Sequence, residues 1–278
     1  MMVGRAITRV ETRRPDLRFP LPDRFSERVT GAKIEALNRR AKYLVAELST
    51  RDALVMHLGM TGRFTVSDKR GSLTPGSYIY ETSGDPKHDH VVIALKGGAL
   101  VTYNDPRRFG FMILISDAER ATHPLFRSLG AEPLSNDLNA EDLAARARGR
   151  KVNLKTFLMD QRNVAGLGNI YVSEALHRAG LSPNRRAASL ADAKSHGATD
   201  RAERLVASIR SVLEDAIAAG GSTLRDYRAA DGRSGAFQES FAVYDRASET
   251  CVRKSCGGVI RRVVQGQRAT FYCPRCQK

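Results

Sequence analysis

Cys251-Val252-Arg253-Lys254-Ser255-Cys256 and, sixteen residues later, Cys273-Pro274-Arg275-Cys276 contain every cysteine of the chain. Two close thiol pairs across a hairpin-sized gap can supply four thiolates to one tetrahedral zinc ion. Two disulfides are the alternative. They are disfavoured because residues 1–14 carry arginines but no apolar export core, and a reducing cytosol opposes them. Between the pairs, residues 260–264 and 269–272 read as strands joined by Gln265-Gly266-Gln267, which makes the segment a zinc-ribbon hairpin. From Cys251 to Lys278 there are seven Lys/Arg and no Asp/Glu. Four thiolates on Zn²⁺ carry a formal charge of about −2, so the module stays near +5. So small a core needs the metal for much of its folding free energy. A basic ribbon of this kind grips nucleic-acid phosphates or is purely structural.

Upstream of the ribbon the chain reads as helical from about residue 130. One helix runs over 170–179, with Asn169 as its N-cap and Gly180 and Pro183 past its end. A second starts at Asp200, with Glu203 three residues on. Leu205, Val206, Ile209, Val212, Leu213 and Ile217 follow at helical spacing, and Gly220-Gly221 ends it. The glycine-rich turn Val164-Ala165-Gly166-Leu167-Gly168-Asn169 feeds the first helix. It is a phosphate site or simply a tight turn with a cap. Residues 1–115 carry short apolar runs of strand length at 43–48, 53–58, 91–95, 99–103 and 110–115. Lys96-Gly97-Gly98 forms a hairpin turn among them, a pattern of sandwich or barrel type. Residues 116–134, with two prolines, read as an interdomain linker, and residues 226–235 as a polar loop. The expected organisation is α+β and multidomain: a β-sandwich over 1–115, a linker over 116–134, a helical domain over 135–237 and a zinc finger over 242–278.

The 278 residues carry 45 Lys+Arg against 30 Asp+Glu, a net charge of +15. That excess points to a polyanion, either nucleic acid or an anionic membrane surface. No apolar run approaches the roughly 18 residues of a membrane span. Aromatics make up 6% and tryptophan is absent, which disfavours a broad base-stacking platform. Asp105-Pro106-Arg107-Arg108-Phe109-Gly110 places two arginines and an aromatic on a turn. Arginine can fork onto base edges and phenylalanine can wedge between bases; a solvated arginine pair is the plainer reading. Met60, in His57-Leu58-Gly59-Met60-Thr61-Gly62, is a wedge or a core methionine. Arg39-Arg40-Ala41-Lys42 begins a strand, where a lysine is ordinarily an edge charge. Lys87-His88-Asp89-His90 suits a phosphate-contacting histidine better than a metal pair. Glu174, one turn into the first helix, is ordinarily a surface carboxylate. His123, His177 and His196 carry no signal.

Seven stretches, taken in order, resemble the bacterial formamidopyrimidine-DNA glycosylase family of helix–two-turn–helix enzymes. They are Arg39-Arg40-Ala41-Lys42-Tyr43-Leu44; His57-Leu58-Gly59-Met60-Thr61-Gly62; Lys87-His88-Asp89-His90; Asp105-Pro106-Arg107-Arg108-Phe109-Gly110; the run from Gly166 to Glu174; Gly220-Gly221-Ser222-Thr223-Leu224; and the run from Gln267 to Gln277. The resemblance implies a base-excision repair glycosylase and AP lyase acting on duplex DNA. It would remove oxidised purines, 8-oxoguanine and formamidopyrimidines, through a Schiff base and β,δ-elimination. The damaged nucleotide is flipped out and the hole it leaves must be filled.

By that resemblance Met60, Arg107 and Phe109 fill the void, and Arg107 also reads the opposite cytosine. Lys42 contacts phosphate and assists elimination. Arg268 grips the lesion-flanking phosphate and aids the second elimination. His88, Lys151 and Asn169 contact DNA, and Glu174 matches a carboxylate facing the lesion pocket. Residues 223–235, Thr223 and Arg225 among them, match a loop over the damaged base. One structural zinc on Cys251, Cys256, Cys273 and Cys276, a monomer, no membrane and a bacterial cytoplasmic location are implied with it.

The family begins with Pro-Glu-Leu-Pro-Glu-Val-Glu-Thr and a helix, whereas Met1–Ile7 here matches just after that helix. Val10-Glu11-Thr12 imitates the motif but falls within a strand. The family's proline amine is the nucleophile and its glutamate helps protonate the sugar, so the 278 residues alone are expected to lack glycosylase activity. A start site assigned too far downstream is the expected explanation. The alternatives are a non-catalytic damaged-DNA-binding protein on the same scaffold, or an endonuclease VIII-like pyrimidine enzyme. The trio Met60, Arg107 and Phe109 argues against the latter.

Overall fold

The computed structural model describes residues 2–68, 71–73, 85–221 and 237–278. The chain divides into two compact units. The first is Met1–Arg127 with Ala219–Gln238, and the second is Ser128–Ala218 with Glu239–Lys278. Thr223, Arg225 and the loop expected over 226–235 lie outside the described residues.

The first unit is built on two antiparallel sheets. One comprises β1 (Ile7–Thr12), β7 (Asp89–Leu95), β8 (Leu100–Asn104), β5 (Arg63–Asp68) and β6 (Gly71–Leu73), in that spatial order. The other comprises β2 (Ile34–Arg40), β3 (Tyr43–Leu48), β4 (Asp52–His57) and β9 (Phe111–Ser116). The short helix α1 (Phe25–Val29) follows β1, and α2 (Asp117–Arg120) follows β9.

The apolar runs are continuous because the four-stranded sheet is covered on both faces. Along β4, Leu54 and Met56 enter the main core with Ile93, Val101 and Tyr103. Ala53 and Val55 face the other way, toward Val45, Ile115, Leu125 and Phe126. The register Val45↔Val55↔Ile113 and Leu44↔Met56↔Met112 keeps that alternation across the sheet. Arg120 of α2 forks onto the carboxylate of Glu47, fastening the segment after β9 to β3.

The glycine-turn hairpin of β7 and β8 and the strands expected at 43–48, 53–58 and 110–115 are all present, and Val10-Glu11-Thr12 lies in β1. One expectation changes. Lys42 does not begin a strand: Ala41 and Lys42 form the two-residue turn between β2 and β3, with Ala41 at φ 51°. Arg39 holds that turn through a 2.8 Å bond to the Ala41 carbonyl.

The second unit contains α3 (Ala140–Ala147), α4 (Leu154–Met159), α5 (Asn169–Ala179), α6 (Asp200–Ala218) and the hairpin β10 (Arg261–Gln265) and β11 (Arg268–Tyr272). Asn139 and Asn153 cap α3 and α4, each accepting an amide hydrogen at 2.8 Å. Phe157, Leu158, Val172, Leu176, Leu205, Ile209 and Val212 are all buried.

Three local expectations are corrected here. Asn169 is the first residue of α5 and Gly168 occupies the cap, and the Asn169 side chain is turned so that its Nδ2 donates to the Ala269 carbonyl. Thr199, not Asp200, takes the cap position of α6, its carbonyl accepting from Ala202 and Glu203. Ile217 is exposed, because the buried face of α6 ends at Ala216.

Candidate metal centre and nucleic-acid interface

The four cysteines converge. None is in a disulfide, and their sulfurs all lie within 4.8 Å of one another. Cys251 and Cys276 are 3.8 Å apart, Cys256 and Cys273 3.6 Å. Zinc–sulfur bonds of about 2.3 Å in a tetrahedron put thiolates about 3.8 Å apart, so the set fits one structural Zn²⁺. Burial and the crowding thiols push Cys276 far up, a penalty that a bound dication removes. Gly258 is sterically required. A Cβ there would stand 2.6 Å from the Cys273 sulfur and 2.8 Å from the Arg275 side chain.

The finger is fastened along α5. At its N-terminal end, Asn169 Nδ2 donates to the Ala269 carbonyl at 3.1 Å and to the Tyr244 hydroxyl at 3.3 Å. One turn on, both oxygens of buried Glu174 accept from the amides of Ala242, Val243 and Tyr244 at 2.8–3.0 Å. That geometry makes Glu174 a tie between helix and finger rather than a surface carboxylate. At the C-terminal end, Arg253 donates to the His177 carbonyl at 2.7 Å. His177 itself is buried, and its Nε2 is 3.4 Å from the Cys251 sulfur. Burial, with Arg253, Arg178 and Arg246 nearby, pushes His177 down to about 4, so its ring is neutral.

The hairpin tip is a two-residue turn, tighter than the three residues expected. Gln265 pairs with Arg268, and Gly266 and Gln267 both have positive φ (53° and 61°). It leaves Arg268 exposed at the start of β11. Beneath it Lys155, only 1% exposed, donates to the Ala269 carbonyl (2.8 Å) and the Thr270 hydroxyl (2.6 Å). Burial first, then the charge of Arg268, lowers Lys155 to about 8. A cavity of about 300 Å³ opens beside Lys155, Thr156, Gln265 and Arg268. The N-cap of α5 is Gly168, which has no side chain with which to cap the helix. Gln161 shapes the preceding glycine turn, accepting from the Gly166 amide (2.7 Å) and donating to the Leu167 carbonyl (3.0 Å). Lys151 is exposed just ahead of α4.

In the first unit, two loops meet on Asp105, which is fully buried. Its Oδ1 accepts from the Thr61 hydroxyl (2.5 Å). Its Oδ2 accepts from the Tyr103 hydroxyl (3.0 Å) and the Gly110 amide (2.9 Å). The Arg107 amide in turn donates to Thr61. Gly59, at φ 65°, lets the loops touch: a Cβ there would lie 2.5 Å from the Phe109 carbonyl carbon. This pinning leaves Met60 and Phe109 exposed by 49% and 43%, unusual for such side chains. Arg107 lies over the Phe109 ring at 4.7 Å. The structure therefore brings these three sequence candidates onto paired loops of one unit.

Lys42 is exposed at its turn. Nearby His57 accepts the Gly59 amide on Nδ1 (3.0 Å) and stacks on Phe111. Burial, then Lys42 and Arg18, lower its pKa. His88 is half-buried at the end of its short turn, whereas His90 is buried, with Nε2 hydrogen-bonded to the Asp105 carbonyl at 2.9 Å. Among the described residues the four cysteines are the one group of three or more side chains placed to hold a metal ion.

Three family models match the chain: the formamidopyrimidine-DNA glycosylase N-terminal domain over residues 1–112, that enzyme's H2TH domain over 129–228, and the zinc finger found in FPG and IleRS over 248–278. The chain belongs to the formamidopyrimidine-DNA glycosylase family. It is 56% identical to the formamidopyrimidine-DNA glycosylase of Methylobacterium sp. (strain 4-46), covering 99% of this chain and 93% of that one. It is 54% identical to that of Rhodopseudomonas palustris (strain BisA53), covering 100% and 94%. Among solved structures it resembles the Lactococcus lactis Fpg in complex with an abasic site containing DNA. The TM-score is 0.82 at 30% identity, covering 100% of this chain and 94% of that one. The wild-type Lactococcus lactis protein in complex with N7-Benzyl-Fapy-dG containing DNA gives a TM-score of 0.81 at 29% identity, with the same coverage of 100% and 94%.

Sequence reasoning missed the residues that hold the family's site in shape. Asp105 was read only as the start of an arginine turn. Lys155 had one visible cue, a charge inside Leu154-Lys155-Thr156-Phe157-Leu158-Met159. His177 and Gln161 had none.

Proposed function

We propose that this protein is a base-excision repair glycosylase and AP lyase that recognises oxidised purines, 8-oxoguanine and formamidopyrimidines, in duplex DNA. The observation that carries the reading is the pair of loops pinned by Asp105, which present Met60, Arg107 and Phe109 to solvent in a chain matched to this family in all three segments. An extruded nucleotide leaves a gap in the stack. Met60 and Phe109 supply apolar volume for it, and the Arg107 guanidinium can donate to the base left behind. Lys42, exposed beside neutral His57, serves a phosphate and assists elimination at the abasic sugar. Arg268 takes the lesion-flanking phosphate and aids the second elimination, with the charge of Lys155 beneath it. His88, Lys151 and the first turn of α5 at Asn169 contact further phosphates.

Zinc supplies no chemistry to the reaction in this reading; it folds the hairpin that carries Arg268. No helix among the described residues is long and apolar enough to cross a membrane. We place the protein in the bacterial cytoplasm, acting as a monomer.

Binding tests the reading without requiring turnover. A duplex with a stable abasic analogue opposite cytosine should bind more tightly than one with adenine opposite, and 8-oxoguanine:C more tightly than thymine glycol:A. The reverse order in both pairs would favour an endonuclease VIII-like enzyme.

A further inference from the structure

Within the second unit, the metal centre has a polar neighbour that is not one of the four thiols. His177 sits in the last turn of α5, 5% exposed, with Nε2 3.4 Å from the Cys251 sulfur. A zinc-bound thiolate has no proton to give, so a hydrogen bond at this contact requires the tautomer that carries its proton on Nε2. The distance is that of an N–H···S hydrogen bond. The backbone around the ring is held at two points. Arg253, two residues beyond Cys251, donates to the His177 carbonyl at 2.7 Å, and the Lys278 amide donates to the carbonyl of Gly180, just past the end of α5.

We propose that His177 is an outer partner of the metal centre, donating its Nε2 hydrogen to the Cys251 thiolate so that zinc is retained by helix α5 as well as by the finger. The hydrogen bond draws charge off one of four anionic sulfurs that share a single dication, which favours the bound state over the open one. The donor belongs to the helix whose first turn also ties Asn169 to the Ala269 carbonyl, next to Arg268.

The test uses the zinc-loaded full chain. Zinc release into excess 4-(2-pyridylazo)resorcinol is timed for wild type, His177→Phe and His177→Gln. Loss of an outer partner typically weakens metal binding about ten-fold or more, so the phenylalanine variant should release zinc about that much faster. Glutamine, which keeps an N–H donor, should restore most of the difference. A wild-type rate in the phenylalanine variant overturns the proposal, as does a glutamine variant as fast as the phenylalanine one. Should the phenylalanine variant fail to fold, wild type loaded with ¹¹³Cd decides. A scalar coupling between the metal and the His177 Nε2 proton supports the bond, and an unprotonated Nε2 refutes it.

Discussion

Asp105 shows how much of the site rests on a side chain that never needs to touch DNA. Three donors converge on its carboxylate, Thr61 and Gly110 from the two loops and Tyr103 from β8. Asp105→Ala strands all three in the interior, at about 1–3 kcal/mol for each unsatisfied group. Asp105→Asn is milder, since its amide oxygen can keep Tyr103 and Gly110 while its NH₂ donates to Thr61. Urea unfolding should rank wild type, Asn and Ala in that order, and affinity for the abasic-analogue duplex should fall in the same order with Arg107 untouched. Equal stability of Ala and Asn would count against the hub.

Lys155 gives a second residue-scale expectation. The folded chain releases its proton near pH 8, while the unfolded chain holds it to about 10.5. Between those values the unfolded state binds more protons, so this residue alone makes stability rise with pH. The stability of wild type relative to Lys155→Met should therefore improve from about pH 8 to about 10.5, the window those two values bracket; an unchanged difference would contradict it. The exposed candidates at this scale were legible because Met60, Arg107, Phe109 and Lys42 sit in recognisable stretches. The supports were not, because burial of Asp105, Lys155 and His177 is a property of the fold and not of their neighbours in sequence.

At the scale of elements, the zinc ribbon was the most legible part, since cysteine spacing states its geometry directly. The error was one residue of turn. Gln265 pairs with Arg268 and Gln267 adopts a positive φ of 61°, which shortens the loop to Gly266-Gln267. The α5 cap was misplaced by one residue: Asn169 looks like a cap by type, yet it is already inside the helix, with its Nδ2 turned to Ala269 and Tyr244. The hairpin depends on metal and on close approach at Gly258. Cys273→Ser should lose zinc and unfold the ribbon. Gly258→Ala, whose added methyl would fall 2.6 Å from the Cys273 sulfur, should lower zinc content measured by atomic absorption. Full zinc occupancy in both would contradict the four-thiolate site.

At the scale of the whole molecule, the +15 net charge makes DNA affinity salt-dependent. Arg268→Ala should weaken binding about equally on every sequence and reduce the slope of log K against log salt by about 1, with zinc retained. Strand-length apolar runs separated by turns left a sandwich or a barrel open, and did not say which strands share a sheet. That follows from long-range register, such as β1 on β7, which no local pattern encodes. The central claim is that Met60, Arg107 and Phe109 occupy the gap left by an extruded nucleotide. The most direct measurement is the affinity of the zinc-loaded chain for an abasic-analogue duplex and for its intact counterpart, repeated with Met60→Ala and Phe109→Ala. The expected result is a preference of at least about ten-fold for the damaged duplex, largely lost in both variants. Equal affinity for the two duplexes, or a preference untouched by either substitution, would contradict it.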